Sequence, residues 1–223
     1  MTFTYRVLAV ASLAFFSAFA SAQVAFNDFG TAHGGFDYNA GNGWTVAGGN
    51  SGASSSPIVT AQQFTSLASG VVADVMLPLL LYQGSSDTLQ VRLVNDNGGA
   101  VGSTVLESWT MAPTGAFSTW TQPTTLTGDG SALLSASTSY WLIASVVNQG
   151  TNMWAAWNWN NIGDTTGLLA QQYSGGSSWT YYSNQTTSAF RIDVTAAPEP
   201  ATMIGLGIGA VALLRRRLNA KKS

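Results

Sequence analysis

The run Trp154-Ala155-Ala156-Trp157-Asn158-Trp159-Asn160 is the densest grouping of recognition-capable side chains in the chain. Trp157 and Trp159 are two apart, so on a strand they share a face, while Trp154 takes the opposite parity. Trp179, Tyr181 and Tyr182 form a second aromatic group. Flat aromatic rings stack on the C–H face of a sugar, and amides such as those of Asn158 and Asn160 bridge its hydroxyls. Trp157, Trp159 and Trp179 are therefore the candidate carbohydrate-binding residues. The competing expectation is structural, because two-sheet folds bury tryptophan against the opposite sheet.

Other chemistry has thinner support. His33 is the one histidine, in Gly30-Thr31-Ala32-His33-Gly34-Gly35, with Asp28 and Asp37 nearby. A Ser-His-Asp hydrolase also needs an activated serine, and no Gly-x-Ser-x-Gly elbow is present. His33 reads as a surface loop residue. Glycoside hydrolysis needs two opposed carboxyls; Glu107 is the one Glu of the central region, and spacing names no partner for it. Asp96, between Asn95 and Asn97, offers hard oxygen ligands for calcium, with Asp87 and Asp129 as further loose candidates. No bidentate Glu closes a calcium loop there, and Asp and Asn are common turn formers. No catalytic or metal residue is assigned.

Composition narrows the class. Charged residues are only 8% of the 223 and Cys is absent, which excludes a disulfide scaffold and a cysteine-ligated metal. Within Gln23–Ala197, Arg92 and Arg191 face nine acids, a net −7 hidden by the whole-chain −2. Such a surface offers little to grip phosphate, so no nucleic acid is expected as a partner. Thr, Ser and Asn are abundant, but the flat array of an ice-binding face comes from a short repeat, and none is visible.

The elements that would carry these residues read as strands. Val71–Tyr82 alternates and then runs apolar; Leu89, Val91 and Leu93 alternate with polar neighbours before the turn Asn95-Asp96-Asn97-Gly98-Gly99. Val105–Met111, Ser139–Val147, Met153–Trp159 and Ala189–Val194 follow. Asn39–Ser56 reads as a Gly/Ser-rich loop around a short Trp44–Val46 strand. Short strands with turn chemistry between them predict an all-β, jelly-roll-like β-sandwich over residues 23–197.

The two ends read as addresses. Residues 1–22 form a secretory signal peptide: Arg6, an apolar stretch, and the small-x-small site Ala20-Ser21-Ala22 before Gln23, which makes signal peptidase a partner. Residues 198–223 hold Pro198-Glu199-Pro200, an apolar segment to Leu214, and Arg215-Arg216-Arg217. The apolar segment is shorter than the ~20 residues of a stable span, and the arginines behind it are a positive-inside stop. A short transmembrane helix that holds the membrane transiently is expected.

This tail resembles the PEP-CTERM sorting signal of Gram-negative bacteria. The resemblance implies an exosortase as partner, export through the inner membrane, and a final site at the cell surface or outside the cell, beside exopolysaccharide and biofilm matrix. Tails of this type also carry an ice-binding name, which attaches to the tail alone. The segments Gly43–Val46, Leu89–Leu93, Ser139–Leu142, Trp154–Asn160 and Ala189–Ile192 resemble the bacterial choice-of-anchor surface domains, which implies an exterior β-sandwich and no known activity. Together these readings predict an exported, non-catalytic surface or matrix protein with a weak polysaccharide contact and no cofactor. A glycosidase-like enzyme and a purely structural spacer are the alternatives.

Overall fold

The computed structural model describes residues 22–173 and 178–196. Its strands are β1 (Ala22–Asn27), β2 (Tyr38–Ala47), β3 (Ile58–Thr65), β4 (Gly70–Leu77), β5 (Leu79–Gln83), β6 (Leu89–Asn97), β7 (Ala100–Met111), β8 (Gly115–Ala116), β9 (Thr124–Thr127), β10 (Leu133–Leu134), β11 (Ser139–Val146), β12 (Trp154–Asn160), β13 (Leu169–Tyr173), β14 (Thr180–Tyr182) and β15 (Arg191–Thr195). A four-residue helical turn, α1 (Ala32–Gly35), follows β1. The fold is the expected all-β sandwich. The sorting residues Pro198, Glu199, Pro200, Arg215, Arg216 and Arg217, the expected membrane segment, and Ala20 lie outside the described residues. Ala22 and Gln23, at the expected cleavage site, open β1.

The smaller sheet runs β1-β15-β4-β10, with β9 also on β4. The larger sheet runs β7-β6-β11-β3, carries β13 and β14 beside β3, and continues through β2-β12-β5-β8. Sequence chemistry explains the joints. β6 and β7 turn on Gly98 and Gly99, both at positive φ, as a tight hairpin turn requires. Pro78 has no N–H to give a ladder; it splits the long apolar run, leaving β4 in the small sheet and β5 in the large one. Within β4 the ladder to β15 passes from Asp74↔Asp193 to Val72↔Val194, skipping Ala73. That bulge changes the inward parity, so Val72, Val75 and Leu77 are buried in place of a strict alternation.

The main core lies between the sheets. Val72, Val75, Leu77, Ile192 and Val194 meet Phe64, Leu89, Val91, Leu93, Leu142 and Trp157. A second cluster forms on the other face of the large sheet, where Val59, Ala61, Trp141 and Ile143 pack with Ala170.

Asn39–Ala47 is strand, not the expected loop. β2 is ten residues long, and its ladder to β12 passes from Asn158↔Gly43 to Trp159↔Asn39. The intervening bulge is held from below: the Asn158 amide donates to the carbonyls of Asn39 (3.1 Å), Ala40 (3.0 Å) and Asn42 (3.1 Å). A long-range side-chain contact thus makes ordered strand from a Gly/Asn-rich stretch.

Candidate functional site

The tryptophan run places its middle ring in the core. Trp157 has zero exposure, donates from Nε1 to the Ala189 carbonyl at 3.1 Å, and lies 5.8 Å from the Phe190 ring. It points between the sheets, which corrects its expected role: a ring sealed in the core has no face to offer a sugar. Gly43 allows the fit, because a Cβ there would lie 2.7 Å from the Trp157 carbonyl oxygen. Trp159 is half-buried and packs on Trp44 at 5.5 Å, and its Nε1 is buried with no partner among the described residues. Trp179, also half-buried, packs against the Trp141–Ile143 cluster.

The amides are turned inward too. The Asn158 Nδ2 is spent on the β2 bulge, and its Oδ1 is buried with no partner among the described residues. Asn160 donates to the carbonyls of Asp164 (2.9 Å) and Thr187 (3.0 Å) and to Thr187 Oγ1 (2.8 Å), and its Oδ1 accepts from Ile162 N and Asp164 N. Period two groups the side chains of the run by face and does not tell which face meets the core.

The charged candidates are scattered. His33 Nδ1 lies 2.7 Å from Asp37 Oδ1, the other Asp37 oxygen accepts from Asn161, and the His33 ring stacks on Trp120 at 4.1 Å and 16°. This is an oriented histidine. No serine joins it through a hydrogen bond among the described residues. Asp96 accepts from Gln63 Nε2 and Trp141 Nε1 (both 2.8 Å) and from Gly99 N (2.8 Å). Partial burial would raise its pKa, but these bonds outweigh burial and hold the carboxyl below its ordinary value. Glu107 Oε1 accepts from Asp129 N at 2.5 Å, and Oε2 is buried with no partner among the described residues. Burial, and then the charge of Asp129, push Glu107 up against the pull of that N–H. The side-chain and backbone bonds of Ser131 hold Asp129 below its usual range. Asp87 caps the start of β6 through Thr88 N at 2.7 Å. Among the described residues no three acidic or histidine side chains gather as a metal site.

What the fold does assemble is a cleft of about 270 Å³. Its walls come from four segments: Phe26 and Asn27 at the end of β1, Gln63–Thr65 of β3 with Leu67, Asp164, Thr166 and Gly167 of the β12–β13 loop, and Thr187. Gly167 sits at φ +84, and a Cβ there would lie 2.5 Å from the Gln63 carbonyl oxygen, so the loop closes onto β3 only with glycine. Phe26 is pinned behind by Phe190 (4.5 Å, 28°) and Phe64 (5.3 Å). Asp164 is fixed by Thr166, whose N and Oγ1 donate to its two carboxylate oxygens at 2.8 and 3.1 Å.

Thr187 joins the cleft to a buried polar network. Its hydroxyl donates to Asp28 Oδ2 at 3.0 Å, and Phe190 N donates to Asp28 Oδ1 at 2.7 Å. Burial pushes Asp28 well above the usual carboxylate range; the bonds from Phe190 and Thr187 pull it down, and the charge of Asp164 adds to the rise. No sequence signal singled out these residues beyond the turn chemistry of Asp164–Gly167, because β1, β3 and the loop meet only in the fold.

Residues 196–217 match the family described as the PEP-CTERM protein-sorting motif. No curated protein matches the chain. The motif begins beside the last strand, which ends at Thr195, and it marks the chain as an exported surface protein sorted by an exosortase.

Proposed function

We propose that the sandwich is a non-catalytic component of the cell surface or extracellular matrix, held there by polysaccharide. The single observation that carries this reading is the sorting motif on a β-sandwich. The net −7 of the region between the two end signals and its lack of lysine suit a surface of uncharged hydrogen-bonding groups with mild negative charge. The five segments that resemble choice-of-anchor domains run along β2, β6, β11, β12 and into β15, which supports a shared sandwich scaffold. Signal peptidase acts after Ala22, the exosortase acts at the tail, and the tail holds the membrane transiently.

Intact mass and cell fractionation test this reading. A species running from Gln23 to near Pro198, found outside the cell and released from matrix by polysaccharide digestion, is the expected result. A species retaining Arg215–Arg217 in the inner membrane would overturn it. The enzyme alternative rests on Glu107 beside Asp129, yet neither carboxyl lines the cleft. A sugar-release assay with Glu107→Gln as control decides that alternative, and no release is expected.

A further inference from the structure

We infer that the cleft between β1, β3 and the β12–β13 loop binds one neutral sugar unit of a polysaccharide and rejects uronate. This inference rests on the polysaccharide reading above and assigns its site and ligand class. The volume, about 270 Å³, lies just under the ~300–1,000 Å³ of sites for drug-sized ligands and fits a single ring with its hydroxyls.

Three chemistries converge there. Phe26 is half-buried and its ring is fixed from behind by Phe64 and Phe190; a rigid aromatic platform takes the C–H face of a pyranose at small entropic cost. Asn27 is exposed, and its Oδ1 takes only a long 3.4 Å bond from Phe29 N. Its Nδ2 keeps two donors with no partner among the described residues. Asp164 spends one lone pair of each carboxylate oxygen on Thr166 and retains acceptors for sugar hydroxyls. Donor and acceptor thus flank an apolar floor, the arrangement a polyol requires.

Charge sets the class. Asp164 is the one charged residue of the lining, and no cation stands there to receive a carboxylate or sulfate. An acidic sugar would bring like charge against Asp164 within a domain already at −7.

Affinity electrophoresis of the full chain in non-ionic detergent tests the assignment. The gels contain hydroxyethylcellulose, galactomannan, xylan or alginate. Retardation by at least one neutral polymer and free passage through alginate is the expected pattern. Asn27→Ala changes an exposed side chain and should weaken retention at least fivefold. Phe26→Leu keeps apolar volume but loses the flat ring and should do the same, with circular dichroism confirming the fold. Trp154→Leu, outside the cleft, should change retention less than twofold. Unchanged retention in both cleft variants would overturn the site while leaving polysaccharide binding standing. Retention by alginate in preference to the neutral polymers would overturn the ligand class. Free passage of the unmodified chain through every gel would overturn both this inference and the reading it rests on.

Discussion

Replacing Trp157 with alanine separates the core role from the ligand role in one experiment. A tryptophan buries roughly 150–250 Å², and at ~25 cal/mol per Å² that is ~4–6 kcal/mol of transfer free energy. Large-to-small substitutions of this kind cost ~3–5 kcal/mol in practice. The Ala189 carbonyl also loses its Nε1 donor, at 3.1 Å in the intact protein, which adds about 1 kcal/mol. A total of ~4–6 kcal/mol is a large share of the ~5–15 kcal/mol that holds an ordinary domain together. With an m-value of ~2 kcal/mol/M in urea, the midpoint falls by ~2–3 M. Trp157→Phe should cost about half as much, since it keeps a ring against Phe190 and loses the hydrogen bond. Urea titrations followed by far-ultraviolet circular dichroism measure both. A loss under about 1 kcal/mol for Trp157→Ala would refute the argument, because only an exposed ring is so cheaply removed.

Asn158→Ala should cost about 3 kcal/mol, since it strips the donors from three strand carbonyls, and amide exchange should quicken across Asn39–Asn42; a cost under about 1 kcal/mol would remove Asn158 as the anchor of the bulge. Asp28 binds its proton more tightly folded than unfolded, where its pKa is about 3.9. Its contribution is therefore fully present below about pH 4 and is lost as pH rises through the raised folded value. Asp28→Asn keeps an acceptor for Phe190 N, and its Tm should fall less than that of the native protein between pH 4 and pH 8; parallel curves would contradict the assignment. Glu107 has the same sign, so Glu107→Gln should raise Tm at pH 7, and the gain should vanish towards pH 4.

Local patterns were legible where local forces decide. Leu89, Val91 and Leu93 alternate in the sequence and are fully buried in the fold, and the Gly98-Gly99 turn sits where glycine chemistry put it. The sorting tail was legible because a targeting signal is read as linear sequence. Long-range contacts escaped. Nothing near Ala73 announces a bulge that follows from pairing with β15, and nothing near Asn39 announces an amide arriving from Asn158. The cleft was hidden for the same reason: Asn27, Thr65 and Asp164 belong to segments that hydrophobic packing brings together, and each alone reads as turn or strand-end polarity. His33 and Asp37 stand four apart, and that one pair could be seen in advance.

The pairing of β1 with β15 has a consequence for how the chain is made. Among the described residues the first strand of the ectodomain has the last as its one ladder partner, with Ala22 opposite Thr195. A nascent chain must therefore reach Arg191–Thr195 before the small sheet can close. Loop closure over so long a separation is slow, and until then β1 and β4 keep open edges, which invite aggregation. The sorting motif begins one residue after that closing strand, at residue 196. A truncated product that stops short of Arg191 lacks both the clasp and the address. The strand that completes the small sheet and the motif that directs surface display follow one another directly in the chain, so a molecule cut short of both carries no passport to the surface.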